Sequence, residues 1–492
     1  MPLPRFGPGL VTLASPLVGA VALAQDAAPD IRAYAPGTPP YGLGGDPQSL
    51  GFAILPQDDD LTERRGDTLW RRLNHTPLGG DAYLTLQAIA HVEPQLIDDA
   101  VYGVFPEDDL SLDARLNVYA GLGWGGRYRV YGALKHANRW DDEVATLPVE
   151  RDDIDLHMLF GEVAFGDAFG GEVGDTLLRV GRQELHYGAG RLISIRGGPG
   201  VRDDFDAAIL RHRRGAWTAE AFGAFVVTDE VGAFDNDTVW DEGIWGLYAT
   251  RAFSSRDTLD LYYVGQRALG VPNVAGPSDD TRHYFGARHF RPPPPDGVGW
   301  DAEVTYLFGE ADPAGPDAGL PPDADIAAWS ATAEVNVSRD AWPWSPNLRL
   351  RAGYTTGDGD PDDDTVRTFR APYPPGRFFG EFTPIGPGNL FGATAAVEFE
   401  PTPALSVSPY FTAFWRAQTE DGSYNPPGLL VRGADGDERF VGWQANLLST
   451  YVIDENWSVF SEAGVFFAGP YIRDNPPAED IGFAKVALQF RF

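Results

Sequence analysis

Between Arg179 and Asp206 the chain places Arg179, Arg182, Arg191, Arg196 and Arg202 among two acids, Glu184 and Asp206, and a run of glycines, Gly188, Gly190, Gly197, Gly198 and Gly200. A guanidinium is a planar fork that binds carboxylate bidentately and stays charged at any physiological pH. The chemistry on offer is therefore anion recognition without bond making. Glycine lets a backbone turn in tight steps and pack closely. Such a loop, folded over a water-filled space, is a natural constriction that would place Arg191 and Arg196 on its lining, with Arg202 just after. Glu184 and Asp206 read as acids that orient the arginines rather than bind solute.

Other chemistry is thin. Asp358-x-Asp360-x-Asp362 has the spacing of a calcium loop, but Asp363 stands where glycine is required and no acid closes the loop at its twelfth position. It is a weak metal candidate, and Ca2+ on the acidic loops is the one ion the sequence suggests; no other cofactor is expected. Gly121-x-Gly123-x-x-Gly126 matches a dinucleotide pattern yet precedes a strand, so it reads as a hairpin turn. The 8 histidines lack metal-ligand spacing, Cys is absent, and no nucleophile has an assignable base, so the chain does not read as an enzyme. With 71 acidic against 38 basic residues it should repel nucleic acid. The acid is concentrated in loops, with Glu93, Asp98, Asp99, Glu107, Asp108 and Asp109 in the first and Asp358 to Asp364 in the longest. Either it forms a solvated rim, or it binds divalent cations that bridge to lipopolysaccharide phosphates.

The elements that must position the arginines are strands. In the last one, Ala484, Val486, Leu488, Phe490 and Phe492 share one parity and Lys485, Gln489 and Arg491 the other. Alternation with period two gives one apolar and one polar face, which suits lipid outside and water within. Segments of this kind lie near 80–91, 110–122, 126–136, 154–166, 175–186, 201–213, 215–229, 241–253, 257–267, 281–290, 298–309, 326–338, 346–357, 390–400, 403–417, 438–453, 456–467 and 481–492. No stretch of about eighteen apolar residues offers a helical span, which leaves a barrel as the way to satisfy backbone groups in lipid. Short links such as 214–215, 401–403 and 454–456 alternate with long ones such as 187–200, 358–389 and 418–437. The expected fold is all-β, a transmembrane antiparallel barrel of about eighteen strands in a bacterial outer membrane, with short periplasmic turns and long external loops. Aromatics at segment ends (Trp217, Trp245, Trp329, Trp415 and Trp457) suit interfacial girdles. Parity turns Arg115, Arg129, Lys135, Arg349, Arg351, Lys485 and Arg491 to the lumen, with Asp113, Asp301, Glu303, Glu334 and Glu462 available as partners. Two readings stand for the strand cations: a ladder of weak anion sites, or a structural network of ion pairs.

Residues 1–24 read as a secretory signal: Arg5, an uncharged and mostly apolar run from Leu10 to Leu23, and Ala22-Leu23-Ala24 before Gln25. Residues 25–79 follow as a periplasmic segment leading into the first strand, and 80–492 as the barrel.

The run from Arg179-Val-Gly-Arg-Gln-Glu through Tyr187-Gly-Ala-Gly-Arg191-Leu, Arg196-Gly-Gly-Pro199 and Arg202 to Phe205-Asp206 resembles the central motif of the alginate-export outer-membrane channels. Leu69–Leu78 followed by Ala82–Leu86 is similar to that family's approach to its first strand. One departure is Asp203, where family members often carry a second basic residue. The resemblance implies export of an anionic polysaccharide such as alginate by facilitated diffusion, with periplasmic partners feeding the chain. Without it, the residues equally describe a porin that takes up small anionic solutes.

Overall fold

The computed structural model describes residues 68–105, 108–140, 149–165, 176–195, 200–254, 256–272, 274–315, 319–375, 382 and 384–492. The signal segment 1–24, most of the periplasmic segment and Arg196 lie outside the described residues. Eighteen antiparallel strands close into one barrel. They are β1 (Ala82–Asp98), β2 (Asp109–Trp124), β3 (Tyr128–Trp140), β4 (Asp152–Phe165), β5 (Thr176–Gln183), β6 (Phe205–Arg214), β7 (Trp217–Val227), β8 (Thr238–Ala252) and β9 (Thr258–Val271). Then follow β10 (Ser278–Arg291), β11 (Val298–Pro313), β12 (Ala324–Ser338), β13 (Asn347–Thr355), β14 (Leu390–Thr402), β15 (Leu405–Arg416), β16 (Phe440–Val452), β17 (Trp457–Ala468) and β18 (Ile481–Arg491). Each strand pairs with its chain neighbour, and β1 pairs with β18, so no edge is left open.

The strands form as they do because their two faces meet different solvents. On β2, Leu110 is 70% exposed and Leu116, Val118 and Leu122 are also exposed, while Ser111, Asp113, Arg115 and Asn117 are buried. That is the inverse of a water-soluble sheet: the greasy side faces outward and the polar side is enclosed. On β18, likewise, Val486 and Leu488 are exposed and Lys485 and Gln489 buried.

An even strand count brings both described ends to one side. The helix α1 (Leu69–Asn74) sets Trp70 against Phe490 and Phe492, with ring centroids 5.3 and 4.6 Å away. Arg71 bonds Glu455, in the tight β16–β17 turn, at 2.6 Å. Two expectations need correction. Residues 92–98 are strand rather than loop, so Glu93 is no part of the acidic rim; it is buried and accepts from Lys485 Nζ at 2.9 Å. Pro94 has no N–H to give, and the β18 ladder passes from Val92 to Gln95 while the β2 ladder runs through it. Trp245 lies mid-strand rather than at a girdle.

Two long loops turn back into the barrel. Ser194 N donates to Tyr373 O and Tyr373 N to Leu192 O, both at 2.8 Å, a short parallel bridge between loops 184–204 and 356–389. Phe382 stacks on Phe483 of β18 at 4.9 Å, and Tyr373 packs edge-on against Phe205 of β6, six strands away, at 5.0 Å. Leu185, Leu192 and Ile193 bury against Phe222, Ile244 and Val264 of the wall, together with Val366 and Phe369 of the partner loop. Apolar burial of this kind, worth about 25 cal/mol per Å2, holds the loops inside.

A candidate constriction in the lumen

Loop 184–204 can lie against the wall because two of its glycines allow it. Gly188 and Gly190 have φ of +59° and +70°, and a Cβ at either would stand 2.4 Å from the Tyr248 hydroxyl or 2.6 Å from His186 Cε1. Tyr187, between β5 and these turns, stacks on Phe222 at 4.7 Å and leans on Tyr248 at 5.1 Å. Its hydroxyl donates to Glu220 at 3.2 Å.

That path delivers the arginines to carboxylates. Arg191 Nη1 lies 3.3 Å from Asp301 on β11 and also bonds Glu303. Arg288 of β10 reaches the same Asp301 at 2.6 Å and Asp260 at 3.5 Å. Arg202 bonds Glu184 at 3.0 Å. Arg179 bonds Glu162 at 2.6 Å, and Arg129 shares that carboxylate from the other side. Arg182 is held by Asp206 at 3.1 Å. Arg115 points at the Gly200 carbonyl, 3.4 Å away, at the far end of the loop. Across the lumen on β13, Arg349 pairs with Glu398, and Arg351 stands opposite Glu334 in the ladder, within the field of Arg191 and Asp301. Arg115, Arg182 and Arg202 thus stand at the two ends of the loop, Arg129 and Arg179 share Glu162 of β4, and Arg191 reaches β11, within whose field Arg351 lies; Arg349 pairs instead with Glu398 of β14. Glu184 and Asp206 each hold one arginine of the motif.

Burial shapes the protonation of the loop. On its own it would raise the Glu184 carboxyl, but Arg202, with His157 behind it, outweighs it and lowers that group to about 2. Burial works against the charges on Arg191 and Arg202, yet the facing carboxylates raise both above the ordinary guanidinium range. At His186 burial outweighs the Gly188 backbone and the field of Glu184, and lowers the ring to about 4. A charged pair in this setting is stable only while both members are present.

The sequence reading missed three contributors. Arg282 and Arg288 share the lumen parity of β10, so alternation would have found them; Arg282 bonds Asp280 at 2.7 Å. His157 carries no spacing signal. Its role depends on residues 27 and 47 positions away. In the calcium candidate, Asp358 is buried and accepts from the backbone N–H groups of Asp360 and Arg367, each at 3.2 Å. Asp363 accepts from Thr365 N at 2.8 Å and from Arg367. These carboxylates turn onto their own loop, and among the described residues no three His, Asp or Glu side chains converge as metal ligands.

Comparison with known proteins agrees with this architecture. A family model described as alginate export matches residues 84–481. Among solved structures, Acinetobacter baumannii OccAB1 superposes with a TM-score of 0.57 at 13% identity, covering 86% of this chain and 99% of that one. Pseudomonas aeruginosa OccK9 (OpdG) gives 0.56 at 12% identity, with 83% and 98% coverage. Pseudomonas aeruginosa OpdQ gives 0.54 at 10% identity, again with 83% and 98% coverage. At such identities the likeness is one of fold. No curated protein sequence matches.

Proposed function

The chain belongs to the alginate export family, and from that premise we propose that it carries an anionic polysaccharide, an alginate-like polyuronate, outward across the bacterial outer membrane by facilitated diffusion. Its family and its porin-like barrel are those of outer-membrane channels. The outward apolar belt supports a setting among outer-membrane lipids and lipopolysaccharide, and periplasmic partners would deliver the polymer to the end that carries α1.

The observation that carries the substrate reading is that the arginines around loop 184–204 already hold carboxylates, as Arg191 holds Asp301 and Glu303. A bare buried arginine would trap a polyanion. An arginine whose carboxylate keeps a second cation, as Asp301 keeps Arg288, can turn to a solute without leaving a buried acid bare, which gives the weak, serial sites that conduction needs. Planar-bilayer recording tests this: polyuronate added on the side bearing α1 should block current in a length-dependent way, while a neutral glucan of equal length should not. Arg191→Ala should weaken the block. Strong cation selectivity with no block would sink the reading.

A second reading, passage of small anionic solutes, is favoured by the bridge between Ile193 and Tyr373, which closes two loops across one lumen. Flux of a monomeric uronate without flux of its polymer would select it.

A further inference from the structure

One imidazole is bonded to both feet of the constriction loop. His157, on β4, is 0% exposed; Nε2 lies 2.9 Å from Glu184 Oε1 and Nδ1 lies 3.1 Å from Asp204 Oδ2. Glu184 is the first residue after β5 and Asp204 the last before β6. Ionised carboxylates only accept hydrogen bonds, so both ring nitrogens can donate only when the ring carries both protons. A neutral ring donates to one foot and turns a lone pair on the other.

The surrounding charges make that second state costly. Lys135, from β3, faces Asp204 and Asp152 at 3.4 Å and Asp229 at 3.1 Å. Arg202 faces Glu184 from within the loop, and the Tyr119 hydroxyl of β2 lies in the field of both. With the imidazolium present, its charge joins Lys135 and Arg202 against Glu184, Asp204, Asp152 and Asp229, while Arg182, held by Asp206, also acts on Asp204 and Asp155 acts on Asp152, so that acids outnumber cations even then. Release of the ring proton to water widens that excess, in a place where water cannot spread it. The strain falls on the Asp204 foot, whose carbonyl also accepts from Val227 N at 3.3 Å and whose neighbour Asp203 donates to Ile195 O at 3.3 Å. Loosening there reaches the segment that bridges to Tyr373.

We propose that His157 is the positioning residue of the constriction: its second ring proton clamps both Glu184 and Asp204, and with them the stretches 184–195 and 200–204, in the lumen, and loss of that proton frees one foot and widens the passage. The proposal rests on the channel reading above, and the experiment separates the two. The full chain is recorded in planar bilayers from about pH 5 to about pH 10, a range that brackets the ordinary imidazole titration and shifts of either sign. The wild type should show a one-proton step to a larger, noisier conductance. His157→Gln, which can hydrogen bond but not take up a proton, should show the high-pH form throughout, with no step.

Because the chain has no cysteine, a double variant, Ile193→Cys with Tyr373→Cys, can lock the two loops at their bridge in an otherwise wild-type protein. Oxidation should abolish the step and reduction restore it, so the test stands even where His157→Gln fails to fold. Conductance that is flat with pH in the wild type, a step that persists in His157→Gln, or one that survives the oxidised lock overturns the proposal. Absence of any conductance at any pH would instead overturn the channel reading.

Discussion

The lumen wall and the external collar (loops 417–439 and 469–480, with residues 356–370 bonded to the first of them before that loop turns inward) both bury arginines, and they satisfy them in opposite ways. In the wall, Arg288 is 1% exposed and meets Asp301 and Asp260. In the collar, Arg416 is equally buried, yet it donates to the backbone carbonyls of Thr419, Asp421, Gly436 and Glu438 at 2.6 to 3.1 Å. It also lies 3.9 Å from the Tyr471 ring centre. Arg432 joins the loops the same way, through the carbonyls of Asn475, Pro477 and Val101. So does Arg370, through those of Pro272, Pro427 and Gly428; burial, with Arg282 beside it, lowers Arg370 to about 10. A carbonyl belongs to the backbone and cannot give way to a solute. A side-chain carboxylate can be exchanged for another carboxylate. Collar arginines therefore hold loops together, while wall arginines are able to hand an anion on.

The largest test of that contrast is Arg202→Met. It leaves Glu184 buried without its guanidinium, and removing one member of a buried pair costs about 3–5 kcal/mol. Adding Glu184→Gln should recover most of the loss, read as the urea midpoint of refolding into lipid vesicles. A double variant as unstable as the single would show that charge is not the cause. Arg416→Met should cost less, about 2–3 kcal/mol, because each charged hydrogen bond contributes modestly and water at the mouth can replace some of them. No carboxylate change should rescue it; rescue by Asp421→Asn would erase the distinction between wall and collar.

Acid should separate the two regions by sign. Glu184 is lowered from 4.5 to about 2, so its contribution is complete above about pH 4.5 and is lost as pH falls through 2. His186, lowered from 6.5 to about 4, likewise favours the folded loop above pH 6.5, and that preference is lost as pH falls through 4. In the collar, burial raises Asp358 and Asp421, so each costs stability when ionised and returns it as acid protonates it. Amide exchange, corrected for its intrinsic pH dependence, should show protection falling in 184–204 and holding or rising around 358 and 421. Parallel loss in both would break the comparison.

The barrel itself was legible in the chain because alternation reports the two solvents directly: each of the eighteen segments read from the sequence falls on one of the eighteen strands. Parity also placed Arg115, Arg349 and Lys485 on the inner face, where they are buried. What parity cannot carry is partnership. Arg191 meets Asp301 and Glu303, which are 110 and 112 residues away, only because the loop between β5 and β6 turns inward and the barrel's curvature brings β11 to it. The return of loop 356–389 onto Leu192 and Ser194 was equally hidden, since it rests on backbone hydrogen bonds that any residue can make. His157 was invisible for the same reason, as its two partners lie on different sides of the loop it joins.

The smallest expected effect on stability is the sharpest test of function. Arg129 is 22% exposed at its side chain and shares Glu162 with Arg179. Arg129→Gln leaves that carboxylate paired, so the fold should change by less than about 1 kcal/mol. If wall arginines pass anions along, this nearly silent substitution should still lower anion permeability relative to cation, because Glu162 then balances Arg179 and the excess positive charge that Arg129 supplied there is gone. The reading is a shift of the zero-current potential in a salt gradient toward the value for cations. Arg432→Gln, in the collar, should leave that potential where it was. Equal shifts in the two variants would mean that the pairing of wall arginines with carboxylates has no bearing on transport.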